Sequence, residues 1–110
     1  MGQFIQVSGQ GGARTPDGAH RVESVEKQTV QALSNVEAIL REGGCTFADV
    51  IMIRVYLTSR DNFPAMNEAY ERFLREHNPS AAMPARTTLI SGLPGEDMEI
   101  EIDALAIRGN

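Results

Sequence analysis

The chain has 110 residues, of which 42% are apolar, enough for one core and one domain spanning residues 1–110. Ten basic against fifteen acidic residues give a formal charge of −5; with no basic run, this argues against nucleic acid and anionic membrane as partners. The single cysteine, Cys45, excludes an intrachain disulfide, and no stretch approaches the roughly 18 apolar residues of a membrane span.

The N-terminal MGQFIQVSGQ lacks the basic flank and long apolar run of a signal peptide, so the expected location is the cytoplasm. Phe4 to Ser8 reads as a short strand, closed by SGQGG and a loop through Pro16, Asp17 and Gly18. From about Arg21 to Arg41, Val22, Val25, Thr29, Leu33, Val36 and Leu40 recur every three or four residues. That spacing predicts an amphipathic helix, stopped by Gly43-Gly44. Val50 to Thr58 is β-branched and almost wholly apolar, the pattern of a central strand. Strict alternation there puts Ile51, Ile53, Val55 and Leu57 on one face and Val50, Met52 and Tyr56 on the other.

Asn62 as N-cap and Pro64 in the first turn open a second helix with the stripe Phe63, Met66, Tyr70 and Phe73, ended by HNPS. Arg86–Ser91 and Met98–Ile107 read as two strands joined by GLPGED in a hairpin, which sets Arg86 just across from the last strand. The order β-α-β-α-β-β predicts an α+β fold with both helices on one face of a sheet.

In Glu99-Ile100-Glu101-Ile102-Asp103, acids alternate with aliphatics. Ile100, Ile102, Ala104 and Ala106 point toward the helices, and Glu99, Glu101, Asp103, Leu105 and Ile107 point away. The second face is therefore partly apolar. A sheet covered on one side only, with apolar residues on the other, predicts an oligomer whose open faces pack together and whose charged residues line clefts between subunits.

Ser8–Gln10 (SGQ), Gln28–Val36 (QTVQALSNV), Val55–Leu57 (VYL), Phe63–Tyr70 (FPAMNEAY), Pro84–Arg86 (PAR) and Glu99–Ala106 (EIEIDALA) occur in this order. Together they resemble the RidA/YjgF family of reactive-intermediate deaminases, also known as endoribonuclease L-PSP. The resemblance covers essentially the whole chain. It implies a chorismate-mutase-like homotrimer with three inter-subunit clefts. The implied reaction is hydrolysis of 2-imino acids to 2-keto acids and ammonia, with no cofactor. It also implies that Arg86 grips the substrate carboxylate, that Glu101 holds the hydrolytic water, and that Ser8 and Asn67 are polar pocket residues. Where the family often has Cys, this chain has Thr88, whose backbone N–H remains available but which offers no thiol. Family members usually carry a further strand, with a pocket-closing aromatic, before the point where this sequence begins. A truncated chain or a short variant with an altered cleft is the corresponding expectation.

These roles suit the residue types. A planar guanidinium binds a carboxylate bidentately, which lysine does not match. An imine carbon is already electrophilic, so a carboxylate that orients water supplies much of what hydrolysis needs. The bland alternatives are a structural ion pair for Arg86, a solvated strand face for Glu101, local backbone bonding for Ser8 and simple exposure for Asn67. Asp103 and Glu99 read as structural or solvated, and Cys45 as a small buried hydrophobe. His20 and His77 have no metal-ligand spacing, so no metal site is expected. Competing functions are a deaminase of 2-aminomuconate-like enamines and a non-catalytic trimeric keto-acid-binding or chaperone-like protein. RNA cleavage is opposed by the acidic balance and the absence of a histidine placed for catalysis.

Overall fold

The computed structural model describes residues 3–12, 24–79 and 82–109. Its elements are β1 (Phe4–Gly11), α1 (Val25–Glu42), a 3-10 turn (Phe47–Asp49), β2 (Val50–Leu57), a second 3-10 turn (Arg60–Asn62), α2 (Phe63–His77), β3 (Ala85–Ile90) and β4 (Ile100–Ile107). The architecture is α+β, with the expected element order. No helix among the described residues is long and apolar enough to cross a membrane.

Ser24 opens α1, its hydroxyl accepting from the Lys27 N–H at 3.3 Å. At the other end Gly44 takes φ +78, and the Cys45 N–H returns to the Leu40 carbonyl at 2.8 Å. A left-handed residue just past the last turn is the glycine-specific stop the sequence predicts. The Arg21–Glu23 part of the expected helix, Val22 included, lies outside the described residues, as does the loop through Pro16, Asp17 and Gly18. The buried face of α1 is Val25, Gln28, Thr29, Ala32, Leu33, Val36 and Leu40. The entry to α2 differs from expectation. Asn62 closes a 3-10 turn in helical conformation, so its side chain caps nothing; Ser59, accepting from the Asp61 N–H at 3.2 Å, caps the turn instead.

The sheet order is β1-β4-β2-β3. β4 runs antiparallel to both neighbours, whereas β3 pairs in parallel with β2. The hairpin expected between Arg86–Ser91 and Met98–Ile107 therefore does not form. α2 serves as the crossover that a parallel β2–β3 pair needs. The chain then passes β2 and enters between β1 and β2, where both edges of β4 are hydrogen-bonded. At the far end of β2 the Ser91 N–H bonds the Leu57 carbonyl at 2.8 Å, and the Thr58 N–H bonds the Glu99 carbonyl at 3.1 Å. β2 is the central spacer between the last two strands.

Ile100, Ile102, Ala104 and Ala106 face the helices, as predicted, and each is at most 1% exposed. They meet Val7, Ile53, Val55, Leu57, Leu33, Val36, Met66 and Leu74 in one core. Each fully buried Leu or Ile contributes about 1.5–3 kcal/mol of transfer free energy. The alternation predicted for β2 breaks at its start. Val50 opposes Ala106 and Met52 opposes Leu105, so Ile51 is an extra residue, a bulge that turns Val50 into the core and leaves Ile51 exposed.

Two polar side chains of α1 act as backbone partners for the sheet. The fully buried Gln28 accepts from the Glu99 N–H at 2.9 Å and donates to the Asp97 carbonyl at 3.2 Å. Asn35 donates to the Gly11 carbonyl at 3.1 Å and accepts from Gln31 at 2.9 Å. The polar letters of the QTVQALSNV stretch thus hold the end of β1 and the approach to β4.

Candidate functional site

Arg86 opposes Ile53 on β2, and Ile53 opposes Ala104 on β4, so Arg86 lies on the helix-facing side of the edge strand β3. Its guanidinium carbon lies 4.7 Å from the Tyr70 ring centroid and 5.7 Å from that of Phe63. Phe63 and Tyr70 are seven residues apart on α2, with Asn67 between them on the same helical face. Among the described residues Arg86 makes no ion pair and no side-chain hydrogen bond. The structural ion pair that sequence reasoning kept as its alternative is absent there.

Thr88 lies two residues further along the same side of β3, opposite Val55. Because the Ser91 N–H points to β2, strand alternation turns the Thr88 N–H the other way, toward the open edge. At the seam between α2 and β3, Asn67 Oδ1, Tyr70 OH and Thr88 Oγ1 are buried with no hydrogen-bond partner among the described residues. Buried polar atoms are seldom left so. Burial pushes the Tyr70 phenol up to about 12, against the opposing pull of the Arg86 cation, so it stays a neutral hydroxyl.

Glu101 opposes Tyr56 on one side and Gly11 on the other, and faces the helix-free side. Its carboxylate rests on Gly9, where a Cβ would overlap it. Ser8 and Gly9 form a bulge, two residues opposite Asp103, between the pairs Val7–Ala104 and Gln10–Ile102. Ser8 is exposed; Gln10 donates to its carbonyl at 3.1 Å and lies 3.5 Å from its hydroxyl. Among the described residues the Glu101 side chain has no ion pair or hydrogen bond.

The other two acids of that strand are accounted for differently. Asp103 is 8% exposed and accepts from Arg54 Nε at 2.9 Å and from the Tyr56 hydroxyl at 3.3 Å. Glu99 is fastened through its backbone to Gln28 and Thr58. Of the three carboxylates, Asp103 is structural, while among the described residues the side chains of Glu101 and Glu99 have no partner, and only Glu101 rests at the β1–β4 bulge.

Arg86, Thr88 and Asn67 therefore come together at the α2–β3 seam, and Glu101 and Ser8 come together at the β1–β4 bulge. The two groups do not meet. They lie on opposite faces of the sheet, and β2 separates their strands. The expectation that Arg86 stands across a hairpin from Glu101 fails because that hairpin is replaced by the parallel β2–β3 pair.

Sequence reasoning placed Phe63 and Tyr70 in the α2 stripe without linking them to Arg86. Their seven-residue spacing around Asn67 was the available signal. Cys45 is 2% exposed, its thiol pushed up chiefly by burial and further by Asp49. His77 stacks on Phe73 with centroids 3.8 Å apart and contacts Glu37 at 2.8 Å. Among the described residues, no group of three or more His, Cys, Asp or Glu could hold a metal ion. A groove of about 320 Å³ lined by Glu71, Arg75, Asn78, Pro79 and Met83 includes none of the candidate site residues.

The family model described as Endoribonuclease L-PSP matches residues 1–108. The chain is 36% identical to the 2-iminobutanoate/2-iminopropanoate deaminase of Salmonella typhimurium, over 98% of this chain and 82% of that protein. It is 34% identical to a RutC family protein of Pyrococcus abyssi, over 98% and 81%. The solved YjgF gene product of E. coli superposes with a TM-score of 0.87 at 34% identity, covering 99% of this chain and 84% of that one. E. coli TdcF, solved with bound serine, gives 0.88 at 32% identity, again over 99% and 84%. The chain belongs to the RidA/YjgF family, whose model bears the description endoribonuclease L-PSP.

Proposed function

We propose that this protein hydrolyses 2-imino acids, the tautomers of enamines such as 2-aminoacrylate, to 2-keto acids and ammonia. The proposed site is a cleft between two copies of the chain in a homotrimer: Arg86, Thr88 and Asn67 come from one copy, Glu101 and Ser8 from the next. The observation that carries this reading is the guanidinium of Arg86, half-buried yet without a carboxylate partner among the described residues. A cation kept in that condition is suited to an incoming anion. The unpaired Glu101 and the deaminase-named relatives support the same reading.

In the proposed mechanism Arg86 binds the substrate carboxylate through two N–H donors, with the Thr88 N–H at the open edge of β3 beside it. Glu101 holds a water against C2. As the water oxygen bonds to C2, the C=N π pair moves to nitrogen. The proton leaving the water passes through Glu101 to that nitrogen. The carbinolamine then collapses: Glu101 carries its hydroxyl proton to the amino nitrogen, C=O forms, and the C–N bond breaks to release ammonia. Water and imine are consumed, keto acid and ammonia are formed, and nothing is oxidised or reduced. Orientation and electrostatic stabilisation supply the acceleration.

The test is ammonia release from 2-iminopropanoate generated in situ. Arg86→Ala is expected to lose both keto-acid binding and turnover. Glu101→Gln keeps shape and some hydrogen bonding, so it is expected to retain binding while turnover falls. No acceleration by the wild-type protein overturns the assignment, and keto-acid binding without turnover identifies a binding protein instead.

A further inference from the structure

The geometry points to Tyr70, assisted by Phe63, as a positioning residue that holds the Arg86 guanidinium ready for a carboxylate. This rests on Arg86 being the carboxylate-binding residue, as proposed above.

An arginine on an edge strand has several free torsions, and freezing them on binding weakens the contact. A carboxylate would immobilise such a group, but it would also occupy the N–H donors a ligand needs. This chain uses rings. Both centroids lie within the roughly 6 Å over which a cation and a ring attract. A ring holds the cation without supplying an oxygen that competes for its donors. The guanidinium is thereby placed but not neutralised.

The two rings differ in firmness. Tyr70 is 4% exposed in the core, so the nearer ring is fixed, whereas Phe63 is 37% exposed at the start of α2. Burial keeps the phenol neutral, so Tyr70 does not become a competing anion at ordinary pH. Among the described residues its hydroxyl has no hydrogen-bond partner, so the ring carries the hold.

The experiment measures 2-ketobutyrate binding by calorimetry and imine turnover for Tyr70→Phe, Tyr70→Leu, Phe63→Leu and Arg86→Ala, each checked for fold and oligomer size. Tyr70→Phe keeps the ring and is expected to bind within about twofold of wild type. Tyr70→Leu is expected to weaken binding about tenfold and to raise KM more than it lowers kcat. Phe63→Leu, on the exposed side of the cradle, is expected to weaken binding about threefold, and it decides the matter if Tyr70→Leu does not fold. Loss of binding in Arg86→Ala together with near-wild-type binding in folded Tyr70→Leu, or in Phe63→Leu where it must substitute, overturns the positioning role alone. Undiminished binding in Arg86→Ala overturns the carboxylate assignment itself.

Discussion

Arg86 and Glu101 occupy opposite faces of one sheet, with β2 between their strands. A small ligand cannot reach both within one copy of the chain, since adjacent strands alone are about 4.8 Å apart and the two side chains leave the sheet in opposite directions.

The proposed shared cleft predicts complementation. Arg86→Ala and Glu101→Gln are each expected to be inactive or nearly so. When equal amounts are unfolded and refolded together, about one cleft in four combines an intact Arg86 with an intact Glu101 in a randomly mixed cyclic trimer. Imine hydrolysis should return to about that fraction of wild type. Mixed trimers without recovered activity would contradict a site built from two copies.

Gly9 gives a separable test of the Glu101 half. Its φ is not positive, so alanine suits the backbone, but the added Cβ would displace the end of the Glu101 side chain. Gly9→Ala is expected to melt within a few degrees of wild type while kcat drops about tenfold or more, because small misplacements of a reacting group are costly. Melting curves alongside initial rates check this, and an unchanged kcat would detach Glu101 from the reaction.

Gln28→Leu keeps approximate volume and removes two backbone partners, the Asp97 carbonyl and the Glu99 N–H. Each net intramolecular hydrogen bond contributes about 0.5–1.5 kcal/mol and both bonds are part-buried, so a loss of about 2 kcal/mol in urea-unfolding free energy is expected. A change below about 0.5 kcal/mol, the range of ordinary surface substitutions, would remove the bracketing role assigned to Gln28.

Tyr70 sets a high-pH limit on stability. Its folded pKa lies near 12, above the ordinary 10.0, so the fold favours the protonated phenol. The associated stability is complete below pH 10 and is lost as pH rises toward 12. Wild type should lose stability relative to Tyr70→Phe across that window and not below it. Parallel denaturant titrations of the two proteins at about pH 8 and about pH 11, on either side of the unfolded phenol's titration, measure the difference.

Those features were unequally legible in the sequence. The inward run Ile100, Ile102, Ala104 and Ala106 and the Gly43-Gly44 stop are local patterns, and local patterns survive folding. The place of β4 between β1 and β2 is not local: nothing in GLPGED distinguishes a hairpin turn from a connection past another strand. The bulges at Ile51 and at Ser8-Gly9 insert single residues, and each reverses the facing of the strand residues beyond it. Arg86, Thr88 and Asn67 were named together only through the family resemblance, because their meeting depends on how α2 packs beside β3. Their separation from Glu101 was not legible at all, since it depends on strand order. Gln28 and Asn35 were visible only as letters in a motif, because their partners are backbone groups.

The Arg54–Asp103 pair has a consequence for any surface that packs on the helix-free face. At the centre of that face, in line with Thr87, an acid and a base already cancel one another, with the Tyr56 hydroxyl completing the set. Asp103 also holds the Arg54 charge firmly, pushing its proton affinity upward mainly through their hydrogen bond. Since each charge is answered inside its own chain, a neighbour need bring no counter-ion to meet them. Contact across this face is then governed by shape and by Met52, Leu105 and their apolar surroundings. In the proposed trimer any salt dependence of dissociation should therefore come from the unpaired Glu101 and Arg86 and not from Arg54 and Asp103; sedimentation of wild type and Arg86→Ala across a salt series would read this directly, and a steep salt dependence untouched by Arg86→Ala would contradict it.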